Sequence, residues 1–194
     1  LIEQGQGNAL QVRVDGGTLV VSGAAHRVPW ARHAQAAVLS LADGRLTLLD
    51  LRGAPGVTLQ PHANPAGLPS DTLVMTDARC TAVAAHGQPW RQPVWTLGAA
   101  ARSAMMVGAL EWALAQTVTY AGERVQFGKP IGRYQAIQQN LALMAGDVAA
   151  ARMAARVAAA DLSGSDARAG LFSTAVAKVR CGEAATRGTG IAHQ

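Results

Sequence analysis

The sequence predicts an α+β protein in which an antiparallel β-barrel or sandwich is followed by an antiparallel helical bundle. Apolar residues alternate with a period of two in several short segments of the first half, and Gly- and Pro-rich turns separate these segments. In the second half apolar residues recur at helical spacing, and no proline interrupts residues 95–124. The change of period near Pro93 divides the chain into a β domain, residues 1–92, and a helical domain, residues 93–194.

The β domain begins with a predicted hairpin. Residues 10–14 alternate with a period of two, residues 15–17 read Asp-Gly-Gly, and residues 18–23 form the next apolar segment. A second strand pair follows at residues 36–41 and 45–50, joined by a predicted turn at residues 42–44. Residues 57–59 and 72–75 are shorter strand candidates. Many short strands with close turns are typical of a small antiparallel barrel or sandwich.

Three helices are predicted in the second half. The first spans residues 95–124, with Met105, Val107, Leu110, Leu114 and Val118 as its apolar positions. The second spans residues 133–162, and the third spans residues 167–185, before Gly188 and Gly190. Asp166 follows a Ser-Gly-Ser stop and is a typical N-cap residue. Short connections predict antiparallel packing, and the many alanines leave apolar surface that predicts partner helices.

Composition excludes several classes of protein. Hydrophobic residues make up 49% and charged residues 15% of the 194 residues, which excludes a disordered chain. The apolar runs are far shorter than the roughly 20 residues of a membrane helix, so we expect no membrane span. No secretory signal is visible. Cys80 and Cys181, about a hundred residues apart, form neither a metal-ligand spacing nor a disulfide framework, and we expect a reduced, cytoplasmic setting.

The polar residues contain no familiar catalytic or metal motif. The net charge is +5, but the basic residues are dispersed, so we expect no nucleic-acid binding. The five histidines are scattered without metal-ligand spacing, and none of the metalloprotease, nucleotide P-loop or serine-hydrolase motifs is present. We therefore expect no metal. The four glutamates are at positions 3, 111, 123 and 183.

The segment between the first two predicted helices carries the most chemical information. Arg124 is near a helix C-terminus, where the helix dipole favours a cation, yet its guanidinium also suits a pyrophosphate. Gln135 is in the first turn of the next helix, where anions are favoured. Phe127, at the turn, is either a core residue or a wall against a ring. Residue types and spacing leave these alternatives open.

The same segment resembles a known family. Residues 123–131 read Glu-Arg-Val-Gln-Phe-Gly-Lys-Pro-Ile, residues 135–138 read Gln-Ala-Ile-Gln, and residues 141–145 read Leu-Ala-Leu-Met-Ala. This order, in a helix–turn–helix context, resembles the C-terminal domain of acyl-CoA dehydrogenases. The first half resembles the family's middle β domain. The resemblance covers nearly the whole chain, as the β domain and an incomplete helical bundle, with the family's N-terminal helical domain absent.

The resemblance implies a flavoprotein that oxidises the Cα–Cβ bond of an acyl-CoA thioester and transfers hydride to FAD. By the same resemblance, FAD lies between the β and helical domains, and the residues that contact it are Arg124, Phe127, Gln135 and, at the end of the chain, Gln194. The implied assembly is a homo- or heterotetramer built through the helical domains. The implied electron acceptor is an electron-transfer flavoprotein.

Two departures from the family pattern favour an alternative. Arg27-Val28-Pro29 stands where the family has the Trp-x-Thr run that touches the flavin ring, and Pro29 has neither a hydroxyl nor an N–H. The Val-Pro-aromatic run at this place, Val28-Pro29-Trp30, resembles divergent subunits of heteromeric actinobacterial dehydrogenases that act on steroid side-chain CoA esters.

The second departure is the absence of the family's catalytic glutamate. One family position for it aligns near Gly98, and Glu111 is roughly 20 Å further along the helix. The alternative is therefore a non-catalytic subunit that stabilises an active partner. A weaker one is a stand-alone helical interaction module with a β cap.

Overall fold

A computed structural model describes residues 2–3, 9–41, 45–83 and 93–194 of the chain. The predicted turn at residues 42–44 lies outside these described residues. The chain divides into two compact units, Leu1–Trp95 and Thr96–Gln194, which we call the β unit and the helical unit.

The β unit contains a seven-stranded sheet with the order β1-β4-β5-β7-β3-β2, and β6 pairs with β7. All pairs are antiparallel except β1 with β4. The predicted antiparallel β architecture is therefore confirmed. The strands are β1 (Ile2–Glu3), β2 (Ala9–Asp15), β3 (Thr18–Pro29), β4 (Ala36–Ser40), β5 (Leu46–Asp50), β6 (Val57–Gln60) and β7 (Ser70–Val83).

The first hairpin forms as predicted, whereas two strands are longer than expected. Asp15 pairs with Thr18 across Gly16 and Gly17, both with positive φ, as a two-residue hairpin turn requires. β3 runs on to Pro29, and β7 extends on both sides of the predicted residues 72–75. The pairing of β3 with β7 shifts register between Val21 and Gly23 and again between Ala25 and Val28. Such irregularities break the alternation that reveals a strand in sequence.

One hydrophobic core serves the whole β unit. Val21, Leu39, Leu49 and Leu73, from four different strands, are fully buried in it. The long β7 supplies Leu73, Met75, Ala78 and Cys80 to this core and pairs with three other strands. Burial raises the pKa of the Cys80 thiol, so this cysteine is an apolar core residue and not a reactive one.

The helices are α1 (Pro93–Glu123), α2 (Gln135–Leu162) and α3 (Ala167–His193), and all but the first three residues of α1 belong to the helical unit. Asp166 caps α3 as predicted, because its side chain accepts from the amides of Arg168 and Ala169. The predicted end of the third helix is wrong: α3 continues through Gly188 and Gly190. Gly188 is buried, and a Cβ there would be 3.1 Å from Leu110 Cδ2. This glycine allows close helix packing and does not stop the helix.

Three contacts set the register of the helices. The Arg187 guanidinium is 2.7 Å from the Asp147 carboxylate, and the Cys181 thiol is 3.7 Å from the Ala151 carbonyl, so α3 runs antiparallel to α2. The Arg152 guanidinium is 3.5 Å from the Glu111 carboxylate, which links α2 to α1. The end of α1, the start of α2 and the end of α3 therefore meet at one end of the unit.

The core of this unit matches the predicted apolar positions only in part. Val107 and Leu110 are buried as predicted, together with Met144, Val148 and Cys181. Met105 and Val118 were expected on the same face, but both side chains are exposed. The misassignment arises because α1 is apolar on more than one side. None of the described helices is both long enough and apolar enough to cross a membrane.

Candidate functional site

A short β-hairpin connects α1 to α2. Its strands, β8 (Val125–Gln126) and β9 (Lys129–Pro130), are antiparallel, and Phe127 and Gly128 form the turn with φ of 52° and 81°. Arg124 lies at the base of this hairpin: its amide donates to Tyr120 at the end of α1, and its carbonyl accepts from Ile131. The Arg124 side chain is exposed, so its backbone is anchored while its guanidinium is available.

Phe127 is not a core residue, because 93% of it is exposed. A bulky residue with positive φ is rare, and this one is held at the tip of the hairpin without the burial that usually offsets such strain. Of the two roles left open by the sequence, burial in the core is therefore wrong. The other role, a wall against a ring, stays a prediction.

Tyr134 ties the hairpin to the start of α2. Its hydroxyl donates to the Gln126 carbonyl at 2.9 Å, and the Lys129 ammonium is 4.3 Å from the centre of its ring. Tyr134 occupies the N-cap position of α2 but makes no side-chain capping bond. Sequence reasoning did not assign this role, although an aromatic residue in place of a Ser, Thr, Asp or Asn cap was a visible signal.

The start of α2 is suited to an anion. Gln135 is its first residue and is exposed, and no N-cap side chain occupies the amides of the first turn. Three cations, Arg124, Lys129 and Arg133, lie within this hairpin and turn, where Glu123 is the one acidic residue of positions 120–138. The helix dipole and the side-chain charges therefore both favour an anion at this position.

Gln194 follows the last residue of α3, and its amide donates to the Ile191 carbonyl. Because Asp147 pairs with Arg187 in antiparallel helices, Gln194 lies at the level of the first turns of α2. The helical unit thus brings all four predicted contact residues to one end: Arg124, Phe127, Gln135 and Gln194. Their role in binding stays a prediction.

The described carboxylates include none at the family's position for the catalytic base. Gly98 lies within α1, and Glu111, further along that helix, is paired with Arg152. Cys181 is buried between helices, and burial raises the pKa of its thiol, so it is not a nucleophile. In the described part of the chain, no group of His, Cys, Asp and Glu residues is arranged to hold a metal ion.

A shallow depression of about 570 Å³ on α3 is a different surface. Arg180, Gly182, Glu183, Thr186 and Arg187 line it. Its two arginines are paired, Arg180 with Glu183 and Arg187 with Asp147. Little positive charge is left there for an anionic ligand.

Comparison with known proteins decides the family. The family description "Acyl-CoA dehydrogenase, C-terminal domain" matches residues 90–194, more than half of the chain. The chain belongs to the acyl-CoA dehydrogenase family. Acyl-CoA dehydrogenase FadE34 of Mycobacterium tuberculosis is 37% identical over 154 residues, which cover 76% of this chain and 21% of that protein.

Solved structures share the fold of both units. The ChsE4-ChsE5 complex from Mycobacterium tuberculosis contains a chain of 26% identity with a TM-score of 0.78, covering 97% of this chain and 52% of that one. Butyryl-CoA dehydrogenase from Megasphaera elsdenii has a TM-score of 0.79 at 24% identity, covering 94% and 52%. The chain thus spans about half of each solved chain and about a fifth of FadE34. The expected fold class and family are confirmed.

Proposed function

We propose that the chain is part of a flavin-dependent acyl-CoA dehydrogenase and that its hairpin binds the pyrophosphate of FAD. The observation that carries this proposal is that Arg124 and the uncapped start of α2 flank the same short hairpin. Arg124 is anchored at the hairpin base with a free guanidinium, and the helix beside it begins without a side-chain cap.

The donor set fits a dinucleotide. A pyrophosphate offers several anionic oxygens, which match the fork of Arg124, the amide of the Gln135 side chain and the first-turn amides of α2. Phe127 presents an apolar face beside these donors, suited to an aromatic ring. Gln194 adds a second side-chain amide at the same end of the helical unit.

The reaction would be oxidation of an acyl-CoA thioester at Cα–Cβ, with an electron-transfer flavoprotein as the electron acceptor. FAD supplies the chemistry of this step, because its ring accepts the hydride from Cβ. The residues of this chain bind and orient that cofactor. The base that removes the α-proton is not assigned to any of them, since Glu111 is paired with Arg152.

The experiment is Arg124→Ala in the assembled protein, with bound FAD measured by visible absorbance and equilibrium dialysis. Loss of a charge-assisted bond predicts about a 10- to 100-fold weaker affinity for FAD. Arg168→Ala is the matched control, because Arg168 is exposed and lies in the first turn of α3 at the other end of the unit. Equal FAD retention in both variants would contradict the proposal.

A second candidate function is a non-catalytic subunit of such an enzyme. It is favoured by Pro29, which stands at the exposed end of β3 where the family uses a hydroxyl residue against the flavin ring. The flavin content of the unmodified assembly distinguishes the two. A flavin content of about one FAD per chain supports the first candidate. A flavin content to which this chain contributes nothing supports the second.

We also infer that the protein assembles through its helical unit. The outer face of a helix is normally charged or polar. The side of α2 that faces away from the core is instead apolar. We call this surface the outer stripe, and its exposed members are Leu143, Gly146, Ala150, Met153, Val157 and Ala160. A homo- or heterotetramer would bury it.

A further inference from the structure

The hairpin between α1 and α2 has little support of its own. Its strands β8 and β9 have two residues each, and every residue from 122 to 129 is exposed. Two backbone hydrogen bonds of 2.8 Å hold its base, one from the Arg124 amide to the Tyr120 carbonyl and one from the Ile131 amide to the Arg124 carbonyl. An isolated two-stranded hairpin is only marginally stable in water, so the part beyond this base needs another support.

The side chain of Tyr134 supplies that support. Gln126 pairs with Lys129 across the two strands, directly before and after the turn of Phe127 and Gly128. The Tyr134 hydroxyl donates to the Gln126 carbonyl at 2.9 Å, and the Lys129 ammonium is 4.3 Å from the centre of the Tyr134 ring. One side chain therefore contacts both residues that flank the turn.

The position of Tyr134 is itself fixed by its neighbours. Its amide donates to the Ile131 carbonyl at 3.0 Å, and its carbonyl accepts from the Gln138 amide in the first turn of α2. The Gln138 side-chain amide donates to the Gly132 carbonyl at 3.1 Å, and a Cβ at Gly132 would be 3.0 Å from the Ala121 carbonyl. The turn before α2 is thus packed against the end of α1, and Tyr134 joins the hairpin to this turn.

Lys129 differs from the other two cations of the segment. The Arg124 and Arg133 side chains are exposed, and within the described ranges no carboxylate pairs with either of them. The Lys129 ammonium instead lies over an aromatic face, and a phosphate that took this ammonium would have to replace its contact with the ring. The guanidinium of Arg124 is therefore left for a ligand, whereas the charge of Lys129 is used within the protein.

We propose that Tyr134 and Lys129 are positioning residues, which hold the hairpin in the conformation that binds FAD and do not themselves contact its phosphates. This inference rests on the proposed function of the hairpin and adds two residues that the sequence did not single out. A hairpin that is open part of the time is competent to bind in only a fraction of the molecules, and the apparent affinity falls with that fraction. The Tyr134 hydroxyl and ring keep the fraction high.

The first experiment is Tyr134→Phe in the assembled protein, which removes the hydroxyl and keeps the ring. Hydrogen exchange of the Ile131 amide, measured after FAD has been removed, reports opening of the hairpin without any ligand. Loss of one hydrogen bond from a marginally closed hairpin should make this exchange about 2- to 4-fold faster and should weaken the affinity for FAD, measured by equilibrium dialysis, by about 2- to 4-fold. Tyr120→Phe is the matched control, because Tyr120 is exposed near the hairpin and its hydroxyl has no partner among the described residues. It should change neither quantity.

The role of Lys129 is tested by a double-mutant cycle. Lys129→Met removes the charge and should weaken FAD binding by about 2- to 4-fold, whereas Lys129→Arg should keep the affinity, because a guanidinium also stacks on the ring. In the Tyr134→Leu background Lys129→Met should have no further effect, since the ring that holds the ammonium is gone. Additive effects would mean that Lys129 contacts the phosphates, and would overturn its positioning role. Lys178→Met, which removes an exposed lysine from α3, is the control, and Tyr134→Met replaces Tyr134→Leu if the latter does not fold.

The outcomes separate this inference from the proposed function. Faster exchange together with weaker FAD binding in Tyr134→Phe supports the positioning role. Unchanged exchange, or faster exchange with unchanged affinity, overturns that role, and the proposed function stands if Arg124→Ala still weakens FAD binding. If neither Tyr134→Phe nor Arg124→Ala changes the affinity for FAD, the proposed function fails and the positioning role fails with it.

Discussion

At the scale of single residues, the chain places bulky side chains where backbone geometry opposes them. Phe127 and Trp30 both have positive φ and both are exposed, so neither conformation is offset by burial of the ring. Glycine or asparagine would adopt this backbone at lower cost. We therefore propose that the strained, exposed ring of Phe127 serves binding and not stability.

Replacing Phe127 with asparagine should therefore separate stability from function. Asn-Gly is the preferred sequence for this two-residue hairpin turn, so Phe127→Asn should raise the free energy of unfolding by about 0.5–1 kcal/mol. The same variant should retain less FAD, because the apolar face is lost. Urea unfolding and flavin absorbance measure the two effects. A less stable protein with full flavin content would contradict both expectations.

Asp71 should make the β unit sensitive to acid. Hydrogen bonds from Arg32, with the His62 amide and the guanidinium charge, lower the pKa of this carboxyl from 3.8 to about 2. The ionised carboxylate contributes about 2 kcal/mol to the free energy of unfolding. This contribution is complete above pH 4 and is lost as the pH falls through 2, because the carboxyl of the unfolded chain binds its proton at a higher pH than that of the folded chain.

The measurement is the urea midpoint, followed by circular dichroism, at pH 6 and at pH 2.5. Asp71→Asn should be less stable at pH 6 and should lose less of its remaining stability at pH 2.5 than the unmodified chain. Asp161→Asn is the control, since no ion pair of Asp161 is found in the described part of the chain. An acid response equal in all three proteins would contradict the assignment.

At the scale of elements, the starts of α2 and α3 differ in how they are capped. Asp166 satisfies two amides at the start of α3, whereas Tyr134 leaves the start of α2 without a side-chain cap. The cap stabilises the start of α3, whereas we propose that the uncapped amides at the start of α2 bind an anion.

Asp166→Ala should therefore lower stability by about 1 kcal/mol without reducing FAD binding. The control is Ser165→Ala, because Ser165 is exposed and adjacent but does not cap the helix. Thermal unfolding and FAD dialysis on the same samples check the expectation. Flavin loss in Asp166→Ala would show that the two ends of the helical unit are coupled.

At the scale of the whole molecule, the outer stripe determines the predicted assembly. Met153 and Val157 are half exposed at its centre, and Leu143 and Ala150 precede Val157 by two heptads and one heptad. Met153→Glu with Val157→Glu would place two charges in a buried interface and should reduce the mass measured by light scattering to that of a smaller species.

Ala149→Glu is the matched control, because Ala149 is exposed on α2 at the edge that also carries Arg152 and Arg156. It should leave the mass unchanged. An unmodified chain that is already monomeric, or a double variant of unchanged mass, would show that the stripe is not the interface.

Much of the fold follows from local patterns, and the exceptions have physical causes. The Asp-Gly-Gly hairpin and the Asp166 cap were predictable because turn and cap chemistry depends on a few adjacent residues. The lengths of β3 and β7 were not, because bulges set by the neighbouring strand interrupt their alternation. Gly188 was mistaken for a helix end because the side chain that requires a glycine there, Leu110, is distant in sequence.

The candidate site divides in the same way. The sequence by itself determined the family segment, the cations and the turn of the hairpin, because these are written in consecutive residues. The tertiary structure alone decided that Phe127 is exposed, that Gln194 reaches the end of the unit where Gln135 lies, and that Asp71 accepts hydrogen bonds from Arg32 and His62. Each of these depends on which distant segments pack together, and burial and register are properties of that packing and not of local sequence.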